Sequence, residues 1–347
     1  MKRIEFLDGL RGVAIVLVIC FHAFSRWPLI VPYGNTYGNF PLFKYGFLGV
    51  QLFFLISGFV ILMSLEKNKT FLQFIYKRWL RLFPAMLIAT ILIYLTAQFL
   101  YERPAGIPTI DSIIPGLIFI EPSWIKTITG VRINPLEGAF WSLWVEFKFY
   151  FIFGASYFIL GSKKAIIAVF SMYLLFNIGN VFNINVLIIL SDFLSFLHFG
   201  WFASGSLAYL YFISKKNKYL YFSILVGLFE SYQYRHDSKL WLFSIFILLI
   251  FFMPIYFEKT RLLLCNSVII FFGFISYPLY LIHENAMIAL ICKISKFIEI
   301  PSILLPFIPI IILLFISYLI TKILEPFVRK MIIRISTSSI AKLEVHT

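Results

Sequence analysis

Apolar runs close to twenty residues long follow one another down this chain, with little but short basic segments between them. A run of about 20 residues is what a helix needs to cross the roughly 30 Å hydrocarbon layer of a bilayer. Within that layer a backbone must satisfy its own hydrogen bonds, so only helices and closed barrels can span it. The runs are continuous rather than alternating, which predicts an all-α polytopic membrane protein with about ten transmembrane helices. They are placed at roughly 10–26, 46–64, 82–100, 140–160, 165–180, 194–213, 219–233, 240–257, 268–292 and 303–323, the fifth and seventh being short. Composition agrees: of 347 residues 61% are hydrophobic and 13% charged, too little polar surface to cover a water-soluble fold. Residues 1–330 are expected to form a single transmembrane domain and 331–347 a short cytoplasmic tail.

The net charge of +14 would suit nucleic acid, but the basic residues sit in the short segments between spans. There they report topology. With the N-terminus inside, the inner segments hold nineteen Lys and Arg residues, from Lys2 and Arg3 through Lys67, Lys69, Lys77, Arg78 and Arg81 to Lys342; the outer ones hold nine. Both termini are therefore expected in the cytoplasm, the partner is the lipid bilayer, and no nucleic-acid partner is expected. Lys2 and Arg3 before an apolar stretch imitate a signal peptide, yet Ala23-Phe-Ser25 is a weak cleavage site and the stretch carries Arg11 and His22. It reads as a retained first helix. Cys20, Cys265 and Cys292 lie in or beside apolar runs with no paired spacing, as packing residues do, and no metal ligation is expected.

Ionisable residues inside spans are costly and point to function. Arg11 and His22 are eleven residues apart on the first helix, about 20° apart in azimuth and roughly 16 Å apart along one stripe. Under the predicted topology His22, Glu146 on the fourth span and His283 on the ninth all fall in the outer half, which predicts one site built from three helices. Arg78 and Arg81 are i,i+3 neighbours just before Pro84 and face the inner compartment with Arg11. Such guanidiniums suit phosphate recognition, although an anchor at the inner membrane surface would also place them there. The long outer segment 101–139 contains the apolar piece 113–120, interrupted by Pro115, which reads as re-entrant or interfacial.

Six blocks in order name a resemblance. They are Phe6-Leu-Asp-Gly-Leu-Arg-Gly12 with ten residues between Arg11 and His22, Gly49-Val-Gln-Leu-Phe-Phe-Leu-Ile-Ser-Gly-Phe59, Lys77-Arg-Trp-Leu-Arg-Leu-Phe-Pro84, Trp141-Ser-Leu-Trp-Val-Glu146 followed by Phe149-Tyr150, Ser276-Tyr-Pro-Leu-Tyr-Leu-Ile-His283, and Glu325-Pro326. The chain resembles the acyltransferase-3 family of integral membrane O-acyltransferases, of the glycan O-acetyltransferase type without a fused esterase-like domain. It departs from the family pattern at Phe147, where a second acidic residue often stands, and at Gly154, where a proline is common.

The resemblance implies an acyl-CoA donor, most often acetyl-CoA, arriving from the cytoplasm. It also implies a glycan or lipid-linked sugar acceptor in the bacterial inner membrane. Arg11, Arg78 and Arg81 would then take the nucleotide phosphates and His22 would act as general base. Glu146 would orient His22 or stabilise its cation, Tyr277 and His283 would serve the oxyanion, Trp141 would bind the acceptor, and Ser142 would bind acceptor or water. Direct transfer and a covalent acyl-histidine relay both fit. A transporter or glycan flippase using the same buried charges as a path is the competing class.

Overall fold

The computed structural model describes residues 4–344, with side chains described through residue 336. Lys2 and Arg3 of the charge census, and the side chain of Lys342, lie outside that range. Among the described residues there are helices and no strands. Ten main helices follow the expected order: α1 (Glu5–Phe24), α2 (Gly49–Leu65), α3 (Phe71–Thr96), α4 (Trp141–Leu160), α5 (Ser162–Val181), α6 (Phe199–Ser214), α7 (Asn217–Ser231), α8 (Ser238–Tyr256), α9 (Ser267–Ile294) and α10 (Phe307–Leu319). All but α7 are, with the short turns that extend some of them, long and apolar enough to cross a membrane. At 15 residues, α7 is about 22 Å long and falls short of the hydrocarbon thickness. The fifth span is a full 20-residue helix. A π turn at Ile320–Leu324 joins α10 to a further helix, Glu325–Glu344. Large apolar side chains such as Ile91, Leu95, Leu225, Ile311 and Phe315 are exposed on the outside of the bundle, a surface suited to lipid rather than water.

Local sequence signals set the helix starts. The side chains of Thr70, Asp237 and Asn266 accept backbone N–H groups at the beginnings of α3, α8 and α9, satisfying donors that have no partner within the helix. The Thr70 cap corrects the sequence-based boundary. The third span starts near Phe71 rather than 82, so Arg78 and Arg81 lie inside the helix and Pro84 within its length. A short apolar helix, Asn185–Leu194, also precedes α6 where a bare connection was expected.

The centre of the bundle is the α1–α9 pair. A Cβ at Gly12 would stand 2.1 Å from the Ile269 carbonyl oxygen, and one at Gly273 would stand 1.9 Å from that of Asp8. Only glycine lets these two backbones approach so closely, as small residues do between membrane helices. This contact fixes the register of α1 on α9, and with it the meeting of His22 and His283. The segment 97–137 folds back over the bundle through short turns at Ile110–Ile118 and the helix Pro122–Thr129. Trp144 donates to the Pro115 carbonyl at 3.3 Å, and Lys148 of α4 is paired with Glu121 at 2.5 Å.

Candidate active site

Two polar centres lie along α1. The first is a cavity enclosing about 710 Å³ with its opening, lined by Arg11, Ser57, Arg78, Arg81, Glu146 and Tyr277 among others. Arg11 is tied to Asp8 one turn earlier, 2.8 Å away. Arg78 is buried between α2 and α4, donating to the Val60 carbonyl at 3.0 Å and lying over the Tyr150 ring at 5.4 Å. Its Nε has no hydrogen-bond partner. Arg81, one turn further, is exposed. Arg103 Nη1, Arg261 Nη2 and Arg329 Nε are also buried without a partner, so what sets Arg78 apart is its place in the wall of the cavity. Glu146 reaches the same cavity, where its Oε1 accepts from Ser57 Oγ at 2.5 Å and Tyr150 OH at 2.6 Å.

The second centre is formed by the C-terminal end of α1 and the middle of α9. His283 Nε2 and His22 Nδ1 are 3.2 Å apart. His283 Nδ1 stands 2.9 Å from the Tyr280 carbonyl, and His22 Nδ1 stands 3.0 Å from that of Val18. A carbonyl only accepts, so each Nδ1 carries a hydrogen, a tautomer inferred from its partners. His283 Nε2 is then an acceptor for His22 Nδ1–H, and His22 Nε2 keeps a free lone pair. Glu284 Oε1 lies 3.6 Å from that Nε2. The other oxygen of Glu284 accepts the Ala139 N–H at 2.7 Å.

Three further residues hold this centre to the outer segment. Glu137 accepts from Arg103 at 2.9 Å and from the backbone N–H of Asn285 at 3.2 Å, and the Asn285 side chain bonds it as well. Asn285 Oδ1 in turn accepts the Ala105 N–H at 2.8 Å. Near the C-terminal end of α9, Lys293 donates to the Phe99 carbonyl at 2.5 Å and Lys296 pairs with Glu102 at 3.0 Å. The Glu102 hydrogen bond holds the Lys296 ammonium above its ordinary pKa.

These positions redraw the sequence-based site. His22 and His283 meet as expected. Glu146 does not join them; its carboxylate is held by Ser57 and Tyr150, and the carboxylate facing His22 is Glu284. His283 uses one ring nitrogen on a carbonyl and the other on His22, so it has no hydrogen left for an oxyanion. The Tyr277 hydroxyl is engaged by the Leu82 carbonyl at 3.1 Å. Ser142 bonds Tyr280 OH at 2.7 Å, not Glu146, and both line the cavity. Trp141 lies apart, its ring 5.2 Å from His198 and 6.0 Å from Phe54. The sequence reading missed Glu284, Glu137, Arg103 and Asn285, although an acidic residue directly after His283 in an apolar run was a signal by its cost alone. Among the described residues no cluster of His, Cys, Asp and Glu is arranged to hold a metal ion.

A family model described as an acyltransferase domain matches residues 4–324. The chain is 28% identical over 167 residues to the peptidoglycan O-acetyltransferase OatA of Listeria monocytogenes, covering 44% of this chain and 24% of that protein. It is 30% identical over 158 residues to the O-acetyltransferase OatA of Staphylococcus aureus strain NCTC 8325, covering 42% and 23%. The matched region thus spans about a quarter of the length of these curated relatives. No solved structure matches the chain.

Proposed function

Because the chain belongs to the acyltransferase domain family, we propose that it is a membrane O-acetyltransferase moving an acetyl group from acetyl-CoA to a hydroxyl of a cell-envelope glycan. The names of the relatives support the acetyl group, and the one named for peptidoglycan supports the acceptor class. The observation that carries the reading is the coupling of two centres: an arginine-lined cavity backed by Tyr280, whose ring lies 5.6 Å from that of His283. Arg11, Arg78 and Arg81 take the donor's phosphates, Arg78 through the nitrogen that lacks an acceptor. The pantetheine arm occupies the cavity toward Ser142 and Tyr280, two of its lining residues. His22 Nε2 takes the proton of the acceptor hydroxyl as its oxygen attacks the thioester carbonyl. The C–S bond breaks, and the proton passes to the leaving CoA sulfur. His283 keeps His22 in the tautomer this requires.

The Lys/Arg asymmetry supports a cytoplasmic N-terminus. The arginine cavity then faces cytoplasmic donor, and the histidine centre lies in the outer half of a bacterial plasma membrane. The test is His22→Ala at matched membrane levels, read as glycan-bound acetate by mass spectrometry. Loss of general-base catalysis alone removes roughly 10²- to 10⁴-fold of the rate. Near-normal acetylation in the variant overturns the assignment of His22. Labelling by membrane-impermeant thiol reagents at introduced cysteines 108 and 237, but not at 68 and 216, checks the sidedness in the same cells.

A further inference from the structure

We propose that Glu284 is the positioning residue for His22. Its carboxylate neutralises the imidazolium formed when Nε2 takes the acceptor's proton; Gly138 and Ala139 set where that carboxylate stands. The inference rests on the reading of His22 as the base.

Four observations meet here. Glu284 is buried in the middle of α9, and an ionised carboxylate there has to be held by specific partners. One of its oxygens is fixed by the Ala139 N–H at 2.7 Å, which leaves the other 3.6 Å from His22 Nε2. That distance is too long for a hydrogen bond in the resting state. A slight closing brings it into range once Nε2 has gained a proton. The charged groups on neighbouring elements are Arg26, one turn after His22 on the chain and exposed, and the pair Arg103 and Glu137 behind Ala139. Within α9 itself His283 meets the opposite edge of the His22 ring. Of these, Glu284 is the anion closest to Nε2.

The third observation is Gly138. Its backbone is exposed, yet a Cβ there would stand 3.0 Å from Glu284 Oε2 and 3.3 Å from Oε1. The absence of a side chain leaves the carboxylate its place and opens it toward the surface beside it. The fourth is the position of Ala139 itself. Its N–H holds Glu284, while its carbonyl accepts from Tyr280 OH at 2.9 Å. One peptide unit therefore ties the anion beside His22 to the wall of the donor cavity. In a catalytic triad the carboxylate takes the Nδ1–H opposite the basic nitrogen; here His283 and the Val18 carbonyl occupy that side, and Glu284 stands beside the basic Nε2, where it acts on the cation.

The experiment compares Glu284→Gln, Glu284→Asp, Gly138→Ala and His22→Ala in purified full-length protein, measuring kcat, KM for acetyl-CoA and CoA affinity. Glu284→Gln keeps the shape and loses the charge. Its kcat should fall roughly 100-fold or more, with CoA affinity and Tm unchanged. Glu284→Asp should recover at least tenfold over the Gln variant because the charge returns. Gly138→Ala should fall between wild type and Gln, again in kcat alone. Adding Glu284→Gln to His22→Ala should cost nothing further, since the carboxylate acts through the imidazole. Wild-type kcat in Glu284→Gln, or Asp no better than Gln, overturns the positioning role while leaving His22 as base intact. High activity in His22→Ala overturns the reading beneath it.

Discussion

The arginine cavity and the histidine centre both bury charge along α1, but they are finished to different degrees. In the cavity Arg78 keeps an unpartnered nitrogen, Arg81 is exposed, and Arg11 is paired with an acid one turn away on its own helix. Around the histidines both oxygens of Glu137 are bonded, Glu284 is anchored by a backbone N–H, and the ring nitrogens of His283 are both engaged, though Arg103 Nη1 is left without a partner. An incomplete set of donors suits a site that a phosphate-bearing ligand completes. A nearly complete set suits one that must hold atoms still for chemistry. The difference teaches that buried arginines in one bundle need not do the same work. Each leaves one guanidinium nitrogen without a partner, but Arg103 is paired with a buried carboxylate whereas Arg78 donates to a backbone carbonyl beside the cavity.

Exchanging the roles of those two arginines is the hardest test of that contrast. Arg103→Ala leaves Glu137 buried without its cation, a change that costs about 3–5 kcal/mol when both partners are as enclosed as these. Their side chains are each 2% exposed. The expected outcome is a large drop in Tm in detergent, with CoA affinity retained by the protein that remains folded. A variant that keeps its Tm and loses CoA affinity would break the comparison.

Much of this was legible in the chain, for physical reasons that also explain what was not. Each apolar run is continuous, so the order of ten helices followed from length alone, and the shortness of α7 was visible in advance. The start of α3 was misplaced because Lys77, Arg78 and Arg81 look too charged for a span. The Thr70 cap, ten residues ahead of Leu80, sets the boundary instead. His22 and His283 were read as one site because depth along a helix follows from residue count. Which carboxylate faces His22 depends on azimuth and on how α4 and α9 are turned. Counting placed Glu146 at a suitable depth, and the packing turned it toward Ser57 and Tyr150. Glu284 was overlooked because its anchor, the Ala139 N–H, is a backbone group to which no side-chain motif points.

The second test separates the two cavity arginines that sequence spacing had made equivalent. Arg78→Ala should weaken CoA binding by about 1.5–3 kcal/mol, a charge-assisted contact in a site screened from solvent. That is on the order of 10- to 100-fold in Kd, and it should persist at high salt. Arg81 is exposed, so Arg81→Ala should cost no more than about 1 kcal/mol and its effect should fade as salt is raised. Calorimetric titration of CoA at low and high ionic strength reads both. Equal losses with equal salt dependence would mean that burial does not distinguish them.

The smallest effect lies at the far rim of the histidine centre, where two lysines fasten the outer segment to the end of α9. Burial alone would raise the Glu102 pKa, but the Lys296 hydrogen bond and charge prevail and hold it below the ordinary carboxylate range. A depressed folded-state pKa means that this contact contributes above the ordinary carboxylate value and is lost as pH falls through the depressed one. Lys293 bonds a backbone carbonyl instead, which acid does not remove. Acid should therefore open one fastening and leave the other. Amide exchange across residues 99–105, corrected for intrinsic rates, should rise modestly once pH falls below the ordinary carboxylate range, while the helical amides of α9 stay protected. Lys296→Ala should show that raised exchange already at neutral pH, and no further step on acidification. A wild-type profile in the variant would assign the closure of this segment to Lys293 and to the buried Arg103–Glu137–Asn285 group alone, which would make the rim as firmly built as the centre it covers.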